Sequence, residues 1–128
     1  MKILYHTNEI EVRDIYDFDL NKTLECGQCF RWNYGEDGVY TGVAFYRVLR
    51  LRQEGHSIFF KCSKDDFDKI WYEYFDLGRD YSEINKQLRV DDFMRSAIDY
   101  GAGIRILKQD AWEVLISFII SQNNHIPR

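Results

Sequence analysis

The sequence is short of proline, cysteine and positive charge, and it has no long apolar run. One proline and no Gly/Pro/Ser-rich or repetitive tract leave no candidate for an interdomain linker or a repeat array. Three cysteines, an odd number, argue against a secreted disulfide framework and suit a reducing compartment, so the expected location is cytoplasmic. No stretch approaches membrane-spanning length, and Met1 to His6 run into charged sequence without the apolar core of a signal peptide. No membrane partner is expected. The 17 Lys and Arg are outnumbered by 21 Asp and Glu, a net charge of −4. Because phosphate binding rests on Lys and Arg, the chain by itself lacks the composition of a complete nucleic-acid binder.

Aromatic and aliphatic side chains are plentiful. Hydrophobic residues make up 45% of the 128 residues, with 9 Phe, 9 Tyr and 3 Trp. A chain of this length folds with roughly two-thirds of its surface buried, so a substantial core is expected and disorder is excluded.

Strand signals fill the first half. After a polar start, Asp17–Leu20 and Phe30–Tyr34 read as short strands, with Gly35-Glu36-Asp37-Gly38 as a turn. From Val39 the odd positions Val39, Thr41, Val43, Phe45, Leu49 and Leu51 repeat with period two, and Arg47 interrupts the pattern. A turn at Gln53-Glu54-Gly55 leads to His56–Cys62, where Ile58, Phe60 and Cys62 alternate. The expected arrangement is an antiparallel meander.

At Ser63 the period changes. Ser63 can cap a helix with Asp66 three residues on, and Phe67, Ile70, Trp71, Tyr74 and Phe75 form one apolar stripe to lie on the sheet. Further helices are predicted from Asp80, with Glu83 as its capping partner, and through Phe93, Met94, Ala97 and Ile98 to a stop at Gly101. Strands first and helices later define the α+β class. The expected division is residues 1–79, sheet plus packing helix, and residues 80–128, helical.

Asp110 and Glu113 open a last helix in which Trp112, Val114, Leu115, Ile116, Phe118, Ile119 and Ile120 leave almost no polar face. A helix that is apolar all round must be enclosed, and only eight residues follow Ile120. The expectation is that a partner, or chain beyond Arg128, supplies the missing helices.

Cys26-Gly27-Gln28-Cys29 has the spacing of a redox dithiol or half a zinc site. A redox pair of this type needs a helix after it, whereas Phe30-Arg31-Trp32 reads as strand, and a structural zinc needs two more ligands where only isolated Cys62, His6, His56 and His125 remain. Two small residues beside a glycine turn is the favoured reading, with no metal and no cofactor expected. Gly27 is either a plain turn or a place of close approach for a ligand.

Leu24-Glu25-Cys26-Gly27-Gln28-Cys29-Phe30-Arg31-Trp32 resembles the Gly-Gln-x-Phe-Arg-Trp segment in the N-terminal domain of the 8-oxoguanine DNA glycosylase family. Ile104–Asp110, running on through Phe118-Ile119-Ile120-Ser121-Gln122-Asn123-Asn124-His125-Ile126-Pro127-Arg128, is similar to the family's approach to its Ser-x-Asn-Asn-x-Ile-x-Arg motif. The resemblance implies an antiparallel sheet like one repeat of the TATA-binding protein, with packed helices, followed by the start of an all-helical domain with a helix-hairpin-helix. It implies a parent that is a glycosylase and lyase, expected to be monomeric, acting on double-stranded DNA containing 8-oxoguanine by flipping the base from the stack. By the match, Gly27 would offer its carbonyl to the hydrogen on N7 that guanine lacks. Asn123 would fill the vacancy left by the flipped nucleotide, and Arg128 would read the cytosine opposite. His125 departs from the asparagine frequent there.

The family's attacking lysine, which forms a Schiff base, and its assisting aspartate belong to the helix-hairpin-helix part. The last lysine here is Lys108, so no catalytic residue is assigned and the chain alone is expected to be inactive. Two other functions remain in competition: a stand-alone scaffold module, and a CxxC redox or metal protein.

Overall fold

Alternating apolar residues at Ile58 and Phe60 generate the central strand of a six-stranded sheet. A computed structural model describes residues 1–125. Its strands are β1 (Lys2–Tyr5), β2 (Ile10–Arg13), β3 (Trp32–Tyr34), β4 (Tyr40–Ala44), β5 (Arg47–Glu54) and β6 (Ser57–Lys61). They lie in the order β1-β2-β6-β5-β4-β3 with every neighbour antiparallel. Register places Val12 opposite Ile58, Ile10 opposite Phe60, and Phe60 opposite Leu51. One face of the sheet is thereby continuous hydrocarbon.

Helices cover that face. The Ser63 hydroxyl accepts from the Asp66 amide and starts α2 (Lys64–Asp66), which runs through a π-helical segment (Phe67–Trp71) into α3 (Tyr72–Tyr74). Phe67, Trp71, Tyr74 and Phe75 are buried along this length. Edge-on contacts of Phe60 with Phe67 and Phe75, at centroid distances of 5.1 and 5.5 Å, join helix to sheet. Trp32 lies across Gly42 on the neighbouring strand, and a Cβ at position 42 would fall inside its indole ring. From α1 (Leu20–Glu25), Leu20 and Leu24 fill the same core.

Beyond Gly78 come α4 (Tyr81–Leu88), α5 (Asp92–Gly101) and α6 (Ala111–Ser121), each capped by an aspartate, Asp80, Asp91 and Asp110, that accepts from the amide three residues on. Between α5 and α6 the chain returns as an extended strap over the α1 side of the core, burying Arg105 and Leu107. The α+β class and the helix starts at Ser63, Asp80 and Asp110 agree with expectation.

Four expectations are corrected. The polar start contains two strands, β1 and β2. Asp17–Leu20 is no strand: Asp19 is extended only as the cap whose carboxylate accepts from the Lys22 amide at 2.9 Å. The Val39–Leu51 segment is a hairpin, not one strand, because the chain reverses at Phe45-Tyr46. Even positions Tyr40, Gly42 and Ala44 therefore face inward in β4 and odd ones, Leu49 and Leu51, in β5. On α5 only Ile98 of the expected apolar face is buried.

Candidate nucleic-acid interface

The loop that follows α1 holds Gly27 at a φ of +92°, a conformation that a side chain would strain. Nothing lies within 4 Å of where its Cβ would stand, so backbone conformation, not crowding, calls for glycine. Among the described residues its carbonyl accepts no hydrogen bond. An open acceptor on a backbone without a side chain is suited to direct contact with a ligand.

Gln28 fixes this loop. Its amide nitrogen donates to the carbonyls of Thr23, at 2.9 Å, and Arg105, at 2.7 Å. Its amide oxygen accepts from the Leu107 backbone at 3.0 Å, and its own carbonyl accepts from the Gln109 side chain at 2.6 Å. Thr23, fully buried, donates to the Gly103 carbonyl and accepts from the Arg105 amide. Arg105 in turn is held between the rings of Tyr81 and Phe18, 4.5 and 5.2 Å from their centroids, with a guanidinium nitrogen on the Asp76 carbonyl at 2.7 Å. Burial works against its charge and lowers its pKa. Sequence reasoning gave none of these side chains a role, although Gln28 lies in the first family-like segment and Arg105, Leu107 and Gln109 lie in the second.

The strap leads directly into α6, which stands across from the loop. A cleft of about 170 Å³ separates them, with Gly27, Phe30 and Arg31 on one side and Ser117, Phe118 and Ser121 on the other. Arg31 reaches over it to Glu113 at 3.3 Å. The α6 helix buries none of its residues: Trp112 is 69% exposed, Phe118 59% and Ile120 64%. Asn123 follows two residues after Ser121 in the left-handed conformation, φ +57°, with an exposed side chain, and does not itself line the cleft. Its neighbour Asn124 bonds back to the carbonyls of Ile120 and Gln122 and so finishes the helix. Arg128 lies outside the described residues.

Among the described residues no lysine lines the cleft. Lys108, on the strap, is bonded to Glu73 at 2.6 Å and lies 3.3 Å from Asp76; the Glu73 hydrogen bond, then Asp76, raise its pKa. A nucleophilic amine needs the opposite shift. Cys29 is an equally poor reagent. Cys26 and Cys29 point back at the carbonyls of Thr23 and Leu24 at the end of α1, at 3.4 and 3.5 Å, and burial pushes the Cys29 pKa up to about 12. A reactive dithiol requires a lowered value. Among the described residues no three His, Cys, Asp or Glu side chains are grouped to hold a metal ion, and no helix is long and apolar enough to cross a membrane.

A glycine loop locked to an extended strap, facing a bare apolar helix across a cleft, defines an α+β domain with an exposed apolar flank. The chain belongs to the family described as 8-oxoguanine DNA glycosylase, N-terminal domain, which matches residues 12–115. It is similar to the N-glycosylase/DNA lyase of Saccharomyces cerevisiae, with 31% identity over 123 residues, 85% of this chain and 33% of that protein. Among solved structures, MBOgg1 in complex with a low-affinity DNA ligand is 50% identical with a TM-score of 0.93, over 98% of this chain and 44% of that one. The Clostridium acetobutylicum 8-oxoguanine glycosylase/lyase, in complex with double-stranded DNA containing cytosine opposite 8-oxoG, is 43% identical with a TM-score of 0.93, over 99% and 44%. The chain thus spans a third of the length of the yeast relative and less than half of the solved ones.

Proposed function

We propose that residues 1–128 form the lesion-reading portion of a monomeric, cytoplasmic DNA glycosylase and lyase that flips 8-oxoguanine out of double-stranded DNA, excises it and cleaves the abasic strand. The observation that carries this is the Gly27 loop: a left-handed glycine whose carbonyl is unpaired beside a cleft walled by α6. Family membership supports the chemistry, and free cysteines support the compartment. Residues 1–79 serve as the sheet domain and 80–128 begin the helical one, although the strap ties the second to the first.

In this reading the Gly27 carbonyl accepts from N7–H of the lesion. Normal guanine has no hydrogen there and would leave a desolvated acceptor unpaired, a cost of ~1 to 3 kcal/mol. Asn123 enters the gap and bonds the orphaned base, and Arg128 reads cytosine. The attacking amine and the assisting carboxylate come from the remainder of the parent, since Lys108 is ion-paired with Glu73, a contact that raises its pKa rather than lowering it.

Borohydride trapping on a duplex with 8-oxoguanine opposite cytosine tests the reading. The parent should form a covalent adduct and residues 1–128 alone should form none. In the parent, Gly27→Ala should weaken lesion binding and spare abasic-site binding, whereas Asn123→Ala should make extrusion harder and slow excision about tenfold or more. An adduct with residues 1–128, or equal loss of abasic-site affinity in both folded variants, would overturn the assignment.

A further inference from the structure

We infer that Gln28 is a positioning residue that sets lesion selectivity, by holding the Gly27 carbonyl in register with α6, and that Gln109 is its partner in this task. The inference rests on the reading of Gly27 just given.

Three observations carry it. The first is engagement: both hydrogens of the Gln28 amide and one lone pair of its oxygen are bonded, to Thr23, Arg105 and Leu107, so the side chain, although Gln28 lines the cleft, is committed to the scaffold. The second is direction. Those partners lie on two different elements, the end of α1 and the strap, and the strap is the segment that delivers α6 to the far side of the cleft. One amide therefore couples the two walls. The third is the Gln109 side chain, which donates to the Gln28 carbonyl at 2.6 Å, one peptide beyond the Gly27 carbonyl and two residues before Ala111 begins α6.

The Gly27 backbone has no other restraint of this kind. Its own carbonyl is unbonded among the described residues, and its φ of +92° is open to glycine over a wide range. Left to itself, a glycine loop samples many carbonyl directions, and a hydrogen bond weakens steeply as its angle departs from linear. Discrimination by a single hydrogen bond needs that direction fixed before the base arrives. Gln28 and Gln109 supply the fixing from the adjacent residue.

The experiment uses the parent enzyme with three single variants. Gln28→Met keeps chain length and removes the hydrogen bonds. Gln109→Leu leaves the Gln28 side chain intact and removes only the brace on its carbonyl. Gly27→Ala tests the reading on which the inference rests. For each variant the measurements are the ratio of kcat/KM for 8-oxoguanine over guanine opposite cytosine, affinity for an abasic duplex, and thermal stability. The expected result is a fall in the ratio of about tenfold in Gln28→Met, and a smaller fall in Gln109→Leu, with abasic-site affinity held within about twofold. An unchanged ratio in both folded variants, or a parallel loss of lesion and abasic-site binding, overturns the positioning role. If Gln28→Met does not fold, Gln109→Leu decides by itself. If Gly27→Ala lowers the ratio and the glutamine variants do not, only the positioning role fails; if Gly27→Ala leaves the ratio intact, the base-reading assignment fails with it.

Discussion

Asp76 shows how much one side chain can hold. It sits buried at a left-handed φ of +50°, accepts from the Arg79 guanidinium and the Tyr81 hydroxyl at 2.8 Å each, and has Lys108 at 3.3 Å. Burial opposes its charge, but the hydrogen bonds from Tyr81, Lys108 and Arg79 outweigh it and hold the carboxyl below its ordinary pKa. With a lower folded than unfolded value, its contribution is present above the unfolded pKa of about 4 and is lost as pH falls through the folded one. Asp76→Asn keeps size and tolerance of the left-handed region while removing the charge. At pH 7 it should cost about 1.5 to 3 kcal/mol in urea unfolding, and the difference from wild type should shrink on acidification to about pH 3. Equal differences at both values would mean that charge is irrelevant there. At this scale the site was only half legible in sequence. Locally Gly27 reads as a turn or a place of close approach and only the family-like segment singles it out, whereas Gln28, Thr23 and Arg105 draw their roles from partners 77 to 82 residues away.

Elements obey the same division between local and distant causes. Helix starts at Ser63, Asp80 and Asp110 were legible because each cap is a bond to an amide three residues on. The β4–β5 hairpin was not. Its two-residue turn, between paired Ala44 and Arg47, puts Phe45 and Tyr46 at φ of 48° and 62°, a geometry normally announced by Asn-Gly. Two aromatic residues announce nothing, so one strand is read through the turn, and the inward face is misassigned in β4 but not at Leu49 and Leu51 in β5. Left-handed backbone costs an ordinary residue roughly 1 to 2 kcal/mol, and Tyr46, 97% exposed, regains little by contact. Tyr46→Gly should therefore raise stability by ~1 kcal/mol in thermal unfolding, less what glycine adds to unfolded-chain entropy. A lower Tm would show that the ring contributes something its exposure hides. The N-terminal strands were missed although Ile10 and Val12 alternate with Glu11 and Arg13, because each strand is only four residues long, the shortest run in which alternation is a signal.

The molecule as a whole has one face unlike the rest. Apolar side chains cover α6 from Trp112 to Ile120 and none is buried, whereas the sheet and its helices enclose their core. Hydrophobic exposure on this scale favours association. Residues 1–128 purified alone should form concentration-dependent oligomers in sedimentation, and Leu115→Glu with Ile119→Glu should shift them toward monomer. A monomer at every concentration, before the substitutions, would mean that α6 is better shielded than its exposure indicates. The strap has another consequence, for the order of events during synthesis. Loop closure over about eighty residues is slow compared with the hairpins of β3 to β6, and the chain emerges from its N-terminus first. The sheet is therefore expected to form while the cleft wall at Gly27 still waits for Arg105, Leu107 and Gln109. The proposed lesion-reading loop is thus expected to be the last part of the domain to set, and a nascent chain halted before the strap should have a nearly complete core and an unbraced Gly27.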